Sequence, residues 1–104
     1  MAYPSKYTSA QVEILGVPST ARQLTAGSAS SNTALTTTVQ RISMRASGAD
    51  IRFSVGTGTQ TANGNTSPFI ANGERLDFAV PVGANIAVIR DGTVNGTLEL
   101  TELI

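Results

Sequence analysis

The chain contains no histidine, no cysteine and no tryptophan. Without cysteine, disulfides and thiolate metal sites are excluded, and a cytosolic assembly site is the compartment that fits. Without histidine, the commonest general base and the commonest metal ligand are both missing, so a triad of the serine–histidine–carboxylate kind cannot be built. Aromatic residues make up only 5% of the chain, so its core has to be aliphatic and thin. Charged side chains are 13%, against ~25% in ordinary soluble domains. Seven basic and seven acidic residues cancel to a net charge of zero. No basic excess exists to offset a phosphate backbone, so nucleic acid is not an expected partner. No apolar run approaches the ~20 residues that span a bilayer, and the opening MAYPSKYTSA lacks the apolar segment of a signal peptide, so no membrane partner is expected.

What is present is a chain of 104 residues, the size of one domain. A domain this small buries roughly two-thirds of its unfolded surface, which leaves room for an assembly contact to add stability. Ser, Thr, Asn and Gly carry the polarity, as on a hydroxyl-rich sheet surface or on a surface that meets other protein.

Residues 35–55 form the centre of the pattern and read as a long hairpin. Leu35, Thr37 and Val39 share one face of the first arm. Ile51, Phe53 and Val55 alternate with Arg52 and Ser54 on the second, with the period of two of a half-buried strand. Ser47-Gly48-Ala49-Asp50 lies between the arms as the reversal. Apolar parity slips from Val39 to Ile42 and Met44, and a β-bulge near residues 40–42 would absorb the slip.

On either side the chain reads as short strands and turns. Residues 11–17 hold Val12, Ile14 and Leu15 and read as a first strand limited by Pro18; residues 21–26 read as a weak second one. Residues 27–33 (GSASSNT) and 56–68 (GTGTQTANGNTSP) read as loops, the second long, exposed and mobile. Pro68–Ala71 is a short strand. Asn72-Gly73 is the strongest hairpin signal and Asp91-Gly92 a second one. Between them Leu76, Phe78 and Val80 face inward against Arg75, Asp77 and Ala79, and Ile86, Val88 and Ile89 follow. Near the end, Leu98 and Leu100 alternate with Glu99 and Thr101. Phe53, Phe78, Ile86, Val88 and Leu98 are the expected core. The sum is about eight short strands and no helix, which predicts a single antiparallel β-sandwich over residues 11–104, a jelly roll being one form of it. An extended N-terminal arm, residues 1–10, precedes it.

The carboxylates do not assemble into an acid–base pair. Glu74 and Asp77 lie three apart on a strand and so point to opposite faces. Glu102 has the parity of Leu98 and Leu100 and is expected just beyond the buried part of the strand. Gly56-Thr57-Gly58 lacks the Gly-Lys-Ser/Thr and the helix of a phosphate loop. The oxygens near Asn63 and Asp91 are too few for a calcium cage. No catalytic residue, cofactor or metal site is therefore expected. Two groups remain as partner contacts. In the arm, Tyr3, Pro4 and Tyr7 either fray or anchor on a neighbouring subunit, since tyrosine buries apolar area while its hydroxyl stays bonded. Arg41, Arg45 and Arg52, on the two arms of the central hairpin, form either a solvated sheet face or bidentate contacts with a partner's carboxylates.

The segments RISMRASGADIRFSVGTG and PFIANGERLDFAVPVGANIAVIRDGTVNGTLELTEL, within residues 40–103, resemble a family of small virion proteins of tailed bacteriophages. There an arginine-bearing strand leads into an Asp-Ile/Val-Arg-Phe strand, then a Gly-Glu unit ending in a run like Ile86–Arg90, then a final Gly-Thr-Leu strand. The opening residues lie outside the resemblance. It implies a capsid decoration (cement) protein on the virion exterior, assembled in the host cytoplasm. Its partners would be the major capsid protein and further copies of itself, as a dimer or trimer. A head–tail neck or tail component is the alternative within the structural class. A carbohydrate-binding or host-adhesion module is the alternative outside it; only Tyr3, Tyr7 and Phe69 offer the exposed aromatics that sugars favour.

Overall fold

Alternation with a period of two decides which side chains go inside. A computed structural model of the chain describes residues 16–104, and within them eight strands and no helix are formed. They are β1 (Pro18–Ala26), β2 (Ser31–Ala34), β3 (Arg41–Ser47), β4 (Ile51–Thr57), β5 (Phe69–Ile70), β6 (Arg75–Ala79), β7 (Ala84–Arg90) and β8 (Gly96–Leu103). On β3 the side chains of Ile42, Met44 and Ala46 are buried between less buried neighbours; on β8 the same holds for Leu98 and Leu100. Ile51 and Phe53 of β4 and Ile86 and Val88 of β7 supply the other half of one continuous aliphatic core. Phe78 of β6 is only half-buried and stacks on Phe53, ring centres 5.9 Å apart.

The strands make two four-stranded antiparallel sheets, one in the order β1-β8-β3-β6 and the other β2-β7-β4-β5. The first strand pairs with the eighth, the second with the seventh, the third with the sixth and the fourth with the fifth. β8 also pairs β3, and β7 also pairs β4. The path is one long antiparallel ribbon wrapped into a two-layer sandwich, which is the jelly-roll topology. The expectation of an eight-stranded β-sandwich holds.

Several local expectations do not. β3 and β4 do not pair; the turn at residues 47–50 carries the chain from one sheet to the other. Residues 35–40 are not an arm of a strand but a crossover from β2 to β3. Leu35 and Val39 plug the core from it, and Val39 N donates to Thr36 O at 3.0 Å. Because β3 starts only at Arg41, the parity slip needs no bulge; the sheet's irregularity lies in β1, between Pro18 and Ala21. Asn72-Gly73 and Asp91-Gly92 are also corners between sheets rather than hairpins. Gly73 adopts φ 86°, a left-handed conformation that glycine reaches without strain. Residues 31–33, read as loop, lie in β2, and Pro18 opens β1 rather than limiting an earlier strand. Of the predicted strand at 11–17, residues 11–15 fall outside the described residues; Val17 exchanges both backbone hydrogen bonds with Ile104, at 2.7 and 2.8 Å. The arm, with Tyr3, Pro4 and Tyr7, also lies outside the described residues.

Candidate functional site

The outer face of the β1-β8-β3-β6 sheet is built by the residues that alternate with the core. On β3 these are Arg41, Ser43, Arg45 and Ser47. Strand register sets Gln23, Glu99, Arg45 and Arg75 in one row across the four strands. Thr25, Thr97 and Ser47 form the row on one side, and Ala21, Thr101, Ser43 and Asp77 the row on the other. The Gln23 amide donates to both oxygens of Glu99, at 3.2 and 3.3 Å, and Arg75 Nη1 donates to Ser43 Oγ at 2.9 Å. Arg45 stands exposed between Glu99 and Arg75, and neither arginine makes an ion pair among the described residues. Like charges directly opposite on neighbouring strands destabilise a sheet. Arg41 lies further along the same face, in register with Ala79 and Leu103.

Arg52 is separated from these two. It lies on β4, in the other sheet, and its contacts are internal. Its Nε pairs with Asp91 Oδ1 at 2.7 Å, its Nη1 donates to Ser67 O at 2.9 Å, and its guanidinium sits 5.2 Å from the centre of the Phe69 ring. The three arginines expected together thus divide, two on one sheet face and one fastening a loop on the other. That loop, residues 58–68, crosses the outer face of β2, β7 and β4. Gln60 N donates to Asn32 Oδ1, Ser54 Oγ donates to Gln60 Oε1, and Ala62 N donates to Ser30 Oγ, each at 2.8 Å. Ala87, which alternates with the inward Ile86 and Val88, is nevertheless fully buried, and so is Ala62. A Cβ on Gly56 would lie 2.9 Å from the Gln60 amide nitrogen, so the Gln60 side chain packs directly over Gly56. The segment read as exposed and mobile is exposed along most of its length, as expected, and is docked on the sheet through Gln60 and Ala62.

Glu102 corrects the sequence reading most sharply. It is fully buried, on the inner face of β8. Arg22 Nε of β1 donates to its Oε2 at 3.0 Å, Thr36 N donates to the same oxygen at 3.0 Å, and the Thr36 hydroxyl donates to Oε1 at 2.7 Å. Burial pushes this carboxyl upward; the Thr36 N–H, the Thr36 hydroxyl and Arg22 together outweigh it and hold the pKa below the ordinary 4.5. The carboxylate is a staple that ties the β2–β3 crossover to the first and last strands. The signal that could have found it is its parity with Leu98 and Leu100.

Among the described residues no three Asp or Glu side chains gather as metal ligands would, and no helix is long and apolar enough to cross a membrane. The described carboxylates that bond to the protein do so in ion pairs, turns and sheet contacts. Comparison with family models, with curated proteins and with solved structures finds no match for the chain in any of the three.

Proposed function

We propose that this chain is a non-enzymatic structural protein of a tailed-bacteriophage virion, binding the outer surface of the capsid in many symmetry-related copies and stabilising it. The observation that carries this reading is the face built on β3. It is a broad, hydroxyl-rich sheet surface with an exposed Arg45 set against Arg75, a like-charge pair with no ion pair among the described residues. Such a pair is repulsive alone and favourable once carboxylates of the major capsid protein dock on it, because guanidinium groups donate to carboxylates in bidentate geometry. The low charge of the rest of the surface limits the desolvation that docking would require. Residues resembling small virion proteins, within 40–103, point the same way.

Co-sedimentation of the purified chain with particles of the virus that encodes it tests the reading. Arg45→Glu with Arg75→Glu is expected to weaken particle binding about tenfold or more. The loss should be largest at low salt. Quantitative mass spectrometry of particles should count on the order of hundreds of copies for a decoration protein. About a dozen copies would mean a neck component, and absence from particles would overturn the virion assignment.

A further inference from the structure

Because successive strands alternate along a wrapped ribbon, the β3–β4, β5–β6 and β7–β8 connections all emerge at one end of the sandwich. They border an open depression of about 320 Å³ whose lining includes Ala49, Asp50, Asn72, Asp91, Gly92 and Val94. That volume lies at the small end of ligand sites. Its walls are held by three bonds, one from each connection. Asp50 Oδ1 accepts from Asn72 N at 2.7 Å, Asn72 Oδ1 accepts from Gly48 N at 3.0 Å, and Asp91 Oδ1 accepts from Arg52 Nε at 2.7 Å. Asp91 N also donates to Asp50 O at 3.1 Å. In each side chain one polar atom braces the wall and the other is left over. Asp50 Oδ2 and Asp91 Oδ2 remain as acceptors and Asn72 Nδ2 as a donor, with no partner among the described residues.

We propose that this end of the sandwich binds carbohydrate. Three features select that chemistry. Two acceptors and an amide donor around one depression match vicinal hydroxyls, each of which can donate and accept. No ion is called for: Asp91 already pairs with Arg52, Asp50 accepts from Asn72 N, and no third carboxylate lines the depression, so a neutral ligand fits better than a cation. The exposed Val94 beside Ala49 gives the apolar C–H face of a sugar ring something to rest on. Nothing in this inference depends on the capsid reading; the site is at the loop end, away from the arginine-bearing sheet face.

The test uses the full chain on a glycan array. The glycans retained are then titrated, with glucose, galactose, mannose and N-acetylglucosamine alongside, while backbone amide shifts are followed by NMR. The expected result is retention of at least one glycan, affinity on the order of millimolar for the isolated sugar, and shifts confined to Gly48, Asp50, Asn72 and residues 91–94. Gly92 has a backbone conformation open to other residues, and an added Cβ there meets nothing within 4 Å. Gly92→Leu is therefore expected to fill the depression, keep the melting temperature and weaken binding about tenfold or more. Asp50→Asn, which keeps an acceptor for Asn72 N, should weaken it as well. The proposal is overturned if no array glycan or free sugar binds, if the shifts map elsewhere, or if both variants bind as the parent does.

Discussion

The staple at Glu102 can be tested by its sign as well as its size. Glu102→Gln keeps the shape, and its amide oxygen can still accept from Arg22 and Thr36 N while the Thr36 hydroxyl turns to accept from the new amide. What is lost is the charge on three hydrogen bonds, so the expected cost at pH 7 is about 1–2 kcal/mol. Arg22→Ala leaves the buried carboxylate with Thr36 alone. Its cost is limited by protonation: a carboxyl of ordinary pKa 4.5 can be neutralised at pH 7 for about 3 kcal/mol, so the loss should reach about 2–3 kcal/mol. In a domain of this size each kcal/mol lowers the melting temperature by about 4–8 °C. The pH dependence follows from the depressed pKa of the folded state. A carboxyl held below 4.5 contributes stability that is complete above that pH and is lost as the pH falls through the folded value. Urea unfolding at a series of pH values, read by far-ultraviolet circular dichroism because the chain has no tryptophan, gives the curves. The gap between the parent and Glu102→Gln should be constant from neutral pH down to about 4.5 and then close. The acid limb should be flatter in Arg22→Ala. A gap that persists undiminished into strong acid would mean that the carboxylate is not held charged by these donors, and the argument would fail.

Other expectations follow from the packing. Phe53→Ala should cost about 3–5 kcal/mol, and Phe78→Ala, half-exposed on the edge strand, about 2–3 kcal/mol, both read by urea unfolding. Asn32→Ala removes the acceptor of Gln60 N, so limited proteolysis within residues 58–65 should accelerate while global stability falls by only about 1 kcal/mol. A double-mutant cycle on the Arg52–Asp91 pair, both partners about a quarter exposed, should give a coupling of no more than about 1 kcal/mol. Deleting residues 1–10 should leave the melting temperature of the free chain nearly unchanged and weaken particle binding about tenfold; equal binding would remove the arm from the partner contacts.

Strand faces were legible because burial alone dictates them. Ile42, Met44, Ile51, Phe53, Ile86, Val88, Leu98 and Leu100 all lie where a period of two puts them. The connections were not legible, for a physical reason. Asn-Gly and Asp-Gly announce that the chain reverses, since these residues suit tight turns, but not whether the next strand returns to the same sheet or drops to the one below. Local chemistry is much the same in both cases. The choice is made by distant pairing: β6 has β3 to join and β8 has both β1 and β3. The docking of the loop at 58–68 was not legible for a related reason. It is polar because it hydrogen-bonds to Asn32, Ser54 and Ser30, and polarity alone cannot distinguish a segment bonded to protein from one bonded to water.

The same topology separates the arginines and buries Glu102. Arg45 and Arg52 are seven positions apart, which looks like proximity, yet the corner at residues 47–50 puts them on opposite layers of the sandwich. Arg22 and Glu102 are separated by 80 positions, which looks like independence, yet pairing of the first strand with the last makes them contacts. A carboxylate near the end of a strand is normally solvated, because burying it unpaired would be prohibitive. Here the partners arrive from the opposite end of the ribbon and from the β2–β3 crossover. A buried charge in a chain that carries few charges has then a specific effect. It is favourable only in the one register that brings Arg22 and Thr36 to it, and shifting β1 by a single residue would turn Arg22 to the other face. Glu102 thus penalises the slipped alternatives of a β1–β8 pairing whose outer face is mostly small and hydroxyl-bearing residues with little shape to define alignment.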